Sequence, residues 1–505
     1  MPAPMASGGP ESPDVVLVGG GIMSANLAVL LRLLDPRLAI HVLEAAPVLA
    51  TEASDASNNA GTGHAGICEL SYTPSRDANG KVPVGRALRI FAQFERSLQF
   101  YAHAAATGMV GDPAGFIRPV PHVCLVHGPE DVAFLAARHE ALRAHHFFGE
   151  MRMTSDPGAI HAWAPLVMEG RKPGPVAAST GEGTEVDFGE LARRLLGWLA
   201  AQEGCTVSTG WKVDGLSRAP EGWRVSARQS ATDTRRILRA RFVFVGAGGG
   251  TLPILQTAGL PEVRGLAGFP IGGQWLVCDE PSVAARHAAK VYGATPPSSP
   301  SLGAPHLDLR MLGGPRRLMF GPFASWTTRF LRNSGAMTDL PASIRPGNLA
   351  TLLRTALRNR ALVRYLVAEG LQDMGSRLVA LRDFYPAAID RHWRVVDAGI
   401  RVQTLRKEDG GAVSFGTEVL ASADRSVAAL MGASPGASVS VGIALDVIAT
   451  CFPRLLSDAG ALSRARAIFP AFEKDLAVPA NAALFQRVAR ATRETLGLAP
   501  VDGIA

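Results

Sequence analysis

Residues 14–44 constrain the fold of this chain more than any other stretch. They read as a short apolar strand, the turn Gly19-Gly20-Gly21, an apolar helical segment and a second apolar strand that ends in Glu44. This order is typical of the βαβ unit that binds an adenine dinucleotide. The sequence therefore predicts an α/β fold with a Rossmann-type domain that holds such a cofactor.

Each part of this unit has a physical role. Gly19 permits the sharp turn out of the strand, and Gly21 lets the backbone approach a pyrophosphate closely. The helix then directs its free N–H groups at that pyrophosphate. Glu44 is placed to accept hydrogen bonds from a ribose diol, and Ser24 replaces the third glycine of the usual pattern while remaining small. A tight strand–helix turn is the simpler interpretation, but the flanking strands and the acid favour a cofactor site. The predicted cofactor contacts are Gly19, Gly20, Gly21, Ile22, Met23, Ser24 and Glu44.

Length and composition narrow the class of protein. A chain of 505 residues with 47% hydrophobic and 19% charged residues is globular and long enough for two domains. The net charge of +7 suits acidic substrates, anionic lipid or nucleic acid. No basic run carries interleaved aromatic residues, so nucleic acid is the least favoured of the three. The five cysteines are scattered without a C-x-x-C pair, which predicts a reducing compartment and neither disulfides nor a metal site.

Two further segments are predicted to face the cofactor. Residues 54–66 are mostly small or amide-bearing, and their place just behind Glu44 favours a cofactor- and substrate-facing loop over a plain surface loop. Its candidate contacts are Asn59, Gly61, Thr62 and Gly63. Residues 241–250 form a second apolar strand that enters a glycine turn. No acid-ended strand follows it, so we expect it to return the chain to the first sheet, with Gly246 and Gly248 near the same cofactor.

Residues 19–26 and 56–74 resemble the malate:quinone oxidoreductase family of FAD-dependent enzymes, and the second stretch ends in Cys68-Glu69-Leu70-Ser71-Tyr72-Thr73-Pro74. The resemblance extends in order over nearly the whole chain. Its later motifs are Gly303-Ala304-Pro305-His306-Leu307-Asp308-Leu309-Arg310, Phe320-Gly321-Pro322-Phe323-Ala324, Thr328-Arg329-Phe330-Leu331, Phe415-Gly416-Thr417-Glu418 and Gly432-Ala433-Ser434-Pro435-Gly436-Ala437-Ser438.

The resemblance implies noncovalent FAD and oxidation of (S)-malate to oxaloacetate, with electrons passed to a membrane quinone that links the tricarboxylic acid cycle to the respiratory chain. It also implies a cytoplasmic protein bound peripherally to the inner face of the cell membrane. The sequence holds no second complete fingerprint for a nicotinamide acceptor, which fits this expectation. Two alternatives stay open: an FAD oxidase or dehydrogenase of another 2-hydroxy diacid such as 2-hydroxyglutarate, and a flavin-bearing redox sensor without turnover.

Oxidation of a 2-hydroxy diacid needs a base and cations for two carboxylates. His306 and His64 are the candidate bases, and His306 is slightly preferred because Asp308 and Arg310 follow it. Arg310 and Arg329 are the candidate carboxylate ligands, with Arg76 and Arg332 behind them. No H-E-x-x-H motif or Cys/His cluster predicts a metal.

The predicted domains interleave. Residues 14–85, 175–265 and 395–505 are assigned to the FAD-binding domain, residues 86–174 and 266–394 to a second, sheet-based substrate domain, and residues 1–13 to a flexible tail. Helices are predicted at 87–106, 131–147, 187–203 and 348–369, and a β-meander at 206–209 and 223–227. The basic helix at 348–369 fits either an anionic lipid surface or a solvated cover on a sheet. A loop with the predicted cofactor contacts Gly432, Pro435 and Gly436 opens a last helix that runs to about residue 452, whose N-terminus is expected to face the flavin.

Overall fold

The computed structural model describes residues 12–294, 305–406, 417–432 and 436–498. Its strands are β1 (Val15–Val18), β2 (Ile40–Leu43), β3 (Thr62–Gly63), β4 (Ile117–Pro119), β5 (His122–His127), β6 (Arg152–Thr154), β7 (Val176–Gly181), β8 (Thr184–Val186), β9 (Cys205–Ser208), β10 (Trp211–Ala219), β11 (Gly222–Gln229), β12 (Arg235–Ala240), β13 (Phe242–Val245), β14 (Ala267–Cys278), β15 (Lys290–Tyr292), β16 (His306–Arg310), β17 (Arg317–Ser325), β18 (Arg394–Leu405), β19 (Thr417–Ala421) and β20 (Val427–Gly432).

The helices lie between and after these strands. They are α1 (Ile22–Leu34), α2 (Gly85–Ala106), α3 (Pro129–Arg143), α4 (Pro157–Trp163), α5 (Pro165–Met168), α6 (Phe188–Ala200), α7 (Thr251–Thr257), α8 (Pro281–Ala284), α9 (Asp339–Ser343), α10 (Pro346–Arg358), α11 (Arg360–Gly370), α12 (Met374–Phe384), α13 (Ser440–Cys451), α14 (Ala459–Ile468) and α15 (Ala482–Thr495). No helix in the described ranges combines the length and apolarity needed to cross a bilayer.

A six-stranded sheet forms the dinucleotide-binding half of the molecule. Its order is β19-β20-β13-β1-β2-β9, and only β19 runs antiparallel to its neighbour. Strands β1, β2 and β13 are buried along their whole length because the sheet is covered on both faces. Strand β13 pairs with β1, so the expected return of residues 241–250 to the first sheet is confirmed.

Alternate residues of β1 enter two different cores. Val15 and Leu17 pack with α1, α2, α6 and α13, whereas Val16 and Val18 pack with β10, β11, β12 and α7. The predicted meander is therefore partly wrong. It consists of β10, β11 and β12, and the strand near residue 206 is β9, which joins the parallel sheet beside β2.

An eight-stranded mixed sheet forms the other half, in the order β18-β14-β17-β16-β15-β5-β7-β6. Helices α4, α5, α8 and α12 contribute to the core on one of its faces. The domain boundaries stay a prediction, but sheet membership favours placing β7 and β18 with this half rather than in the segments 175–265 and 395–505. Likewise, α2 packs in the core of the parallel sheet, although it was assigned to the second domain.

The helix predictions were correct in kind except for the one at residues 348–369. The structure has two helices there, α10 and α11, separated at Asn359, whose backbone leaves the helical region at φ −104° and ψ 43°. The Asn359 amide donates a 2.8 Å hydrogen bond to the Thr355 carbonyl. Asparagine side chains compete with the backbone in this way, which ends a helix.

Candidate active site

Two glycine turns meet at the carboxyl edge of the parallel sheet. Gly19 has φ +100°, and a Cβ there would lie 2.5 Å from the Gly246 carbonyl oxygen, so only glycine fits. The turn leads into α1, whose N-cap is Gly21 and whose first turn carries no acid. Helix α13 also starts without a side-chain cap. Helix N-termini of this kind attract anions, because their N–H groups and dipole are directed outward.

Glu44 lies at the end of β2 beside the first turn. Its carboxylate accepts hydrogen bonds from the Gly20 backbone N–H at 2.6 Å and the Ala46 N–H at 2.8 Å. Burial raises the pKa of Glu44, and the two backbone donors oppose that rise. The Ile22 N–H donates to the Ser54 hydroxyl at 3.1 Å, so the 54–66 loop begins directly over the start of α1.

The 54–66 loop is held by buried side chains of the mixed sheet. Arg310 Nη1 donates to the Asn59 carbonyl at 2.7 Å, and Lys290 Nζ donates to the Ala60 carbonyl at 2.8 Å. The Thr62 hydroxyl lies 3.0 Å from the Tyr292 hydroxyl. A Cβ on Gly61 would lie 2.7 Å from Arg310 Nη1, at φ +60°. The Arg310 side chain and the positive φ therefore explain why position 61 is a glycine.

Arg310 forms an ion pair within the protein. Its Nε lies 2.9 Å from Glu185 Oε1, and both side chains are fully buried. The Glu185 carboxylate also accepts the backbone N–H groups of Met311 and Leu312. Arg310 Nη2 is buried and has no hydrogen-bond partner among the described residues, so the predicted substrate role of Arg310 stays a prediction.

His306 stands at the centre of a buried polar cluster on β15 and β16. Its Nδ1 lies 2.8 Å from Asp308 Oδ2, which is also 3.4 Å from Lys290 Nζ. Burial alone would raise the pKa of Asp308, but the charges of His306 and Lys290 hold it below its usual range. The imidazole stacks on Tyr292 at 4.4 Å and meets the edge of Trp275 at 5.3 Å. These two aromatic contacts hold the imidazole ring with its Nδ1 beside Asp308.

His64 belongs to the same site. Its Nδ1 lies 3.1 Å from the Tyr72 hydroxyl and 3.6 Å from Glu69 Oε2. Burial lowers the pKa of His64; the charge of Glu69 opposes this effect, and the charges of His306 and Lys290 add to it. The structure thus brings together the two histidines that the sequence singled out, although they are far apart in the chain.

The other predicted arginines lie outside this cluster. Arg329 is exposed on the segment that covers the second glycine turn, where the Phe330 carbonyl closes over Gly249. Arg332 hydrogen-bonds the Asn58 side chain. Arg76 is exposed and donates to the Gly80 carbonyl.

The remaining predicted cofactor contacts are placed as follows. The Asn59 side chain closes its own loop by accepting the Gly61 N–H at 2.8 Å. Gly248 and Gly432 both have positive φ, at +56° and +80°. Gly436 is half-buried just before α13, and Pro435 lies outside the described residues, as do parts of the motifs at 303–304, 415–416 and 433–435.

Arg401 on β18 was not predicted from the sequence. This side chain is partly buried at the edge strand of the mixed sheet and has no hydrogen-bond or ion-pair partner among the described residues. Burial lowers the pKa of Arg401, and the charge of Glu69 opposes that effect. Arg401 therefore lies near the carboxylate that faces His64. Glu185, Lys290 and Tyr292 were also missed, since nothing local in the sequence separates them from ordinary strand residues.

A parallel dinucleotide-binding sheet joined to a large mixed sheet, with the histidine cluster on the latter, is the fold of a class of oxidases, one of which is solved with FAD bound. Solved structures with this fold include L-alpha-glycerophosphate oxidase from Mycoplasma pneumoniae with FAD bound (TM-score 0.56, 15% identity, 87% of this chain and 95% of that one) and glycine oxidase from Geobacillus kaustophilus (TM-score 0.56, 16% identity, 88% and 95%).

The particular family is shown by sequence. The profile of the malate:quinone oxidoreductase family matches residues 11–498. A probable malate:quinone oxidoreductase 2 of Pseudomonas aeruginosa is 46% identical over 98% of this chain and 97% of its own length. A probable malate:quinone oxidoreductase of Methylobacillus flagellatus is 48% identical over 92% and 94%. The chain belongs to the malate:quinone oxidoreductase family.

Proposed function

We propose that this protein oxidises (S)-malate to oxaloacetate with FAD as cofactor and passes the electrons to a membrane quinone. Family membership supports the reaction. The observation that carries it is the buried His306–Asp308 pair beside His64, which supplies a positioned base and a second imidazole in one site. FAD, when bound, accepts the hydride that leaves C2 of the substrate.

The residues at the carboxyl edge of the parallel sheet fit this cofactor. Residues 19–24 offer a glycine turn and the free N-terminus of α1 for the pyrophosphate. The Glu44 carboxylate, now held by two backbone N–H groups, is the acceptor for the ribose hydroxyls. An acid at this position also disfavours a 2′-phosphate, because two negative charges would face each other.

His306 is the proposed base. Asp308 Oδ2 lies 2.8 Å from Nδ1, so the tautomer with its proton on Nδ1 faces a carboxylate and keeps the Nε2 lone pair for the substrate hydroxyl proton. Asp308 then stabilises the imidazolium that forms, because a buried carboxylate at 2.8 Å favours the charged ring. His64 is placed to hydrogen-bond the same substrate, while Tyr72 remains a neutral phenol because burial raises its pKa well above the usual value.

Arg401 is the proposed ligand of one substrate carboxylate. Arg310 is occupied by Glu185, and Arg329 is exposed away from the cluster, whereas Arg401 is partly buried without a partner. We expect Arg401→Gln to weaken malate binding about 10- to 100-fold, since a charged hydrogen bond contributes about 1.5–3 kcal/mol. FAD content should be unchanged. Equal loss of malate and FAD binding would contradict this role.

Steady-state assays test the reaction itself. FAD-loaded protein should reduce a soluble quinone analogue with (S)-malate, and 2-hydroxyglutarate should be the poorer substrate. A preference for 2-hydroxyglutarate would favour the alternative diacid oxidase. No turnover with either acid in a protein that retains FAD would favour a redox sensor. We also propose that the protein works in the cytoplasm, bound peripherally at the inner face of the membrane, where its quinone acceptor resides.

A further inference from the structure

Helices α10 and α11 both expose large apolar side chains to water, although α11 also buries Leu366. Leu353 is 58% exposed, Leu357 63% and Leu371 76%. The spacing is that of a helix face, because exposed apolar residues recur every fourth position in each helix: Leu349, Leu353 and Leu357 in α10, and Val363, Val367 and Leu371 at and just after α11.

The inner face of α10 is polar. Asn348 is buried and donates to the Leu266 carbonyl at 2.9 Å, and Thr351 is buried and donates to the Gly265 carbonyl at 3.0 Å. A soluble protein buries the apolar stripe of a surface helix and exposes the polar one. Helix α10 does the reverse, so its exposed face is suited to a hydrophobic environment outside the protein.

The charges on this segment are almost all positive. Residues 346–371 contain four arginines, at positions 354, 358, 360 and 364, and one acid, Glu369. All four arginines are exposed. Glu369 is half-buried, and it accepts a 2.6 Å hydrogen bond from Gln372. An exposed apolar stripe bordered by arginines is complementary to a bilayer with anionic headgroups.

We propose that α10 and α11 form the membrane-docking face and that their partner is the surface of an anionic phospholipid bilayer. The inference rests on the proposed function, which requires a quinone dissolved in lipid, and it assigns the contact to a particular part of the chain. The leucines and valines enter the headgroup region, and the arginines pair with lipid phosphates. Because α10 packs on β14 and β18, the helix that bears this face lies against the edge strand that carries Arg401.

Vesicle flotation of the FAD-loaded protein tests the assignment. The wild type should float with vesicles of phosphatidylcholine and phosphatidylglycerol and much less with phosphatidylcholine alone. Leu353→Gln with Leu357→Gln should weaken binding about 100-fold, on the order of tenfold for each leucine. Arg354→Gln, Arg360→Gln and Arg364→Gln together should also weaken it about 100-fold, and only with the anionic vesicles.

A matched variant controls for general loss of surface hydrophobicity. Ile237→Gln with Val478→Gln also removes two exposed apolar side chains, 52% and 43% exposed, and should float like the wild type. Malate-dependent reduction of a soluble dye should be equal in all variants, whereas reduction of a long-chain quinone in vesicles should fall only in the leucine and arginine variants.

Three outcomes would overturn the proposal. The leucine and arginine variants could float as well as the wild type, the control pair could lose as much binding, or the wild type could be a lipid-free dimer that the leucine variant converts to a monomer. The last result would assign the face to a second copy of the chain. Absence of dye reduction in every protein would instead contradict the proposed function and leave the flotation result to decide the docking face.

Discussion

Replacement of Asp308 by asparagine tests how the histidine cluster works. The carboxylate is fully buried, lies 2.8 Å from His306 Nδ1 and faces Lys290 at 3.4 Å. Asparagine keeps the side-chain volume but removes the negative charge that orients the imidazole and stabilises its protonated form. Lys290 would lose its counter-charge. Since burial already lowers the pKa of Lys290, it can become neutral, which limits the damage to the fold.

The expected loss follows from the role of the base. A positioned general base contributes about 10²- to 10⁴-fold to a rate, which is about 3–5 kcal/mol of transition-state stabilisation. The loss of rate in Asp308→Asn should be the same at every pH in the neutral range. The pKa of Asp308 lies below its usual value, so the wild-type carboxylate is ionised above about pH 5, and its contribution to stability disappears only as the pH falls through that lowered pKa.

Anaerobic stopped-flow bleaching of the bound flavin by malate measures the effect directly. Asp308→Asn should lower the bleaching rate by the stated factor while FAD content stays at the wild-type level. Asp397→Asn is the matched control, because Asp397 is exposed on β18 and accepts one hydrogen bond from Gln274. A bleaching rate within threefold of the control would refute the proposed pairing of Asp308 with the base.

Three other predictions concern residues that hold the structure around the histidine cluster. Glu185→Gln leaves Arg310 buried without its counter-charge and should lower the free energy of unfolding by about 3–5 kcal/mol, measured by urea denaturation; a loss under 1 kcal/mol would contradict it. Burial lowers the pKa of His122 to about 3, so the folded state resists its protonation and stability falls from about pH 6.5 downward by about 1.4 kcal/mol per pH unit. His122→Asn should reduce the total slope by that amount in denaturation curves at pH 6.5, 5.5 and 4.5, because His41 and His287, whose pKa values burial also lowers, keep their own contributions; an unchanged slope would argue against it. Gly61→Ala should destabilise more than Gly80→Ala, because both glycines have positive φ but only position 61 has a close neighbour, and equal melting temperatures would contradict this.

The dinucleotide half was predictable because its signals are local. A strand, a glycine turn, a helix and an acid follow one another within residues 14–44, and the structure assembles them in that order. The return of β13 was also predictable, since an apolar strand without a following acid has few other places to pair. The break at Asn359 was not foreseen, because the apolar periodicity runs across it and one asparagine is a weak signal.

The site was predictable only in part, because its pairs are distant in sequence. His306 and Asp308 were recognised from their own motif, but Glu185 became the partner of Arg310 through the register of separate strands. For the same reason the sequence favoured Arg310 and Arg329 over Arg401. A motif shows which arginines accompany the histidine, whereas only the folded sheet shows which of them already has a partner.

We propose that this chain holds FAD and that (S)-malate reduces the bound flavin. The most direct measurement is the absorbance of the bound flavin after anaerobic addition of (S)-malate to purified, FAD-loaded protein. We expect rapid bleaching by (S)-malate and slower bleaching by 2-hydroxyglutarate. Two results would contradict this proposal: correctly folded protein that binds no FAD after reconstitution, and bound flavin that stays oxidised in malate.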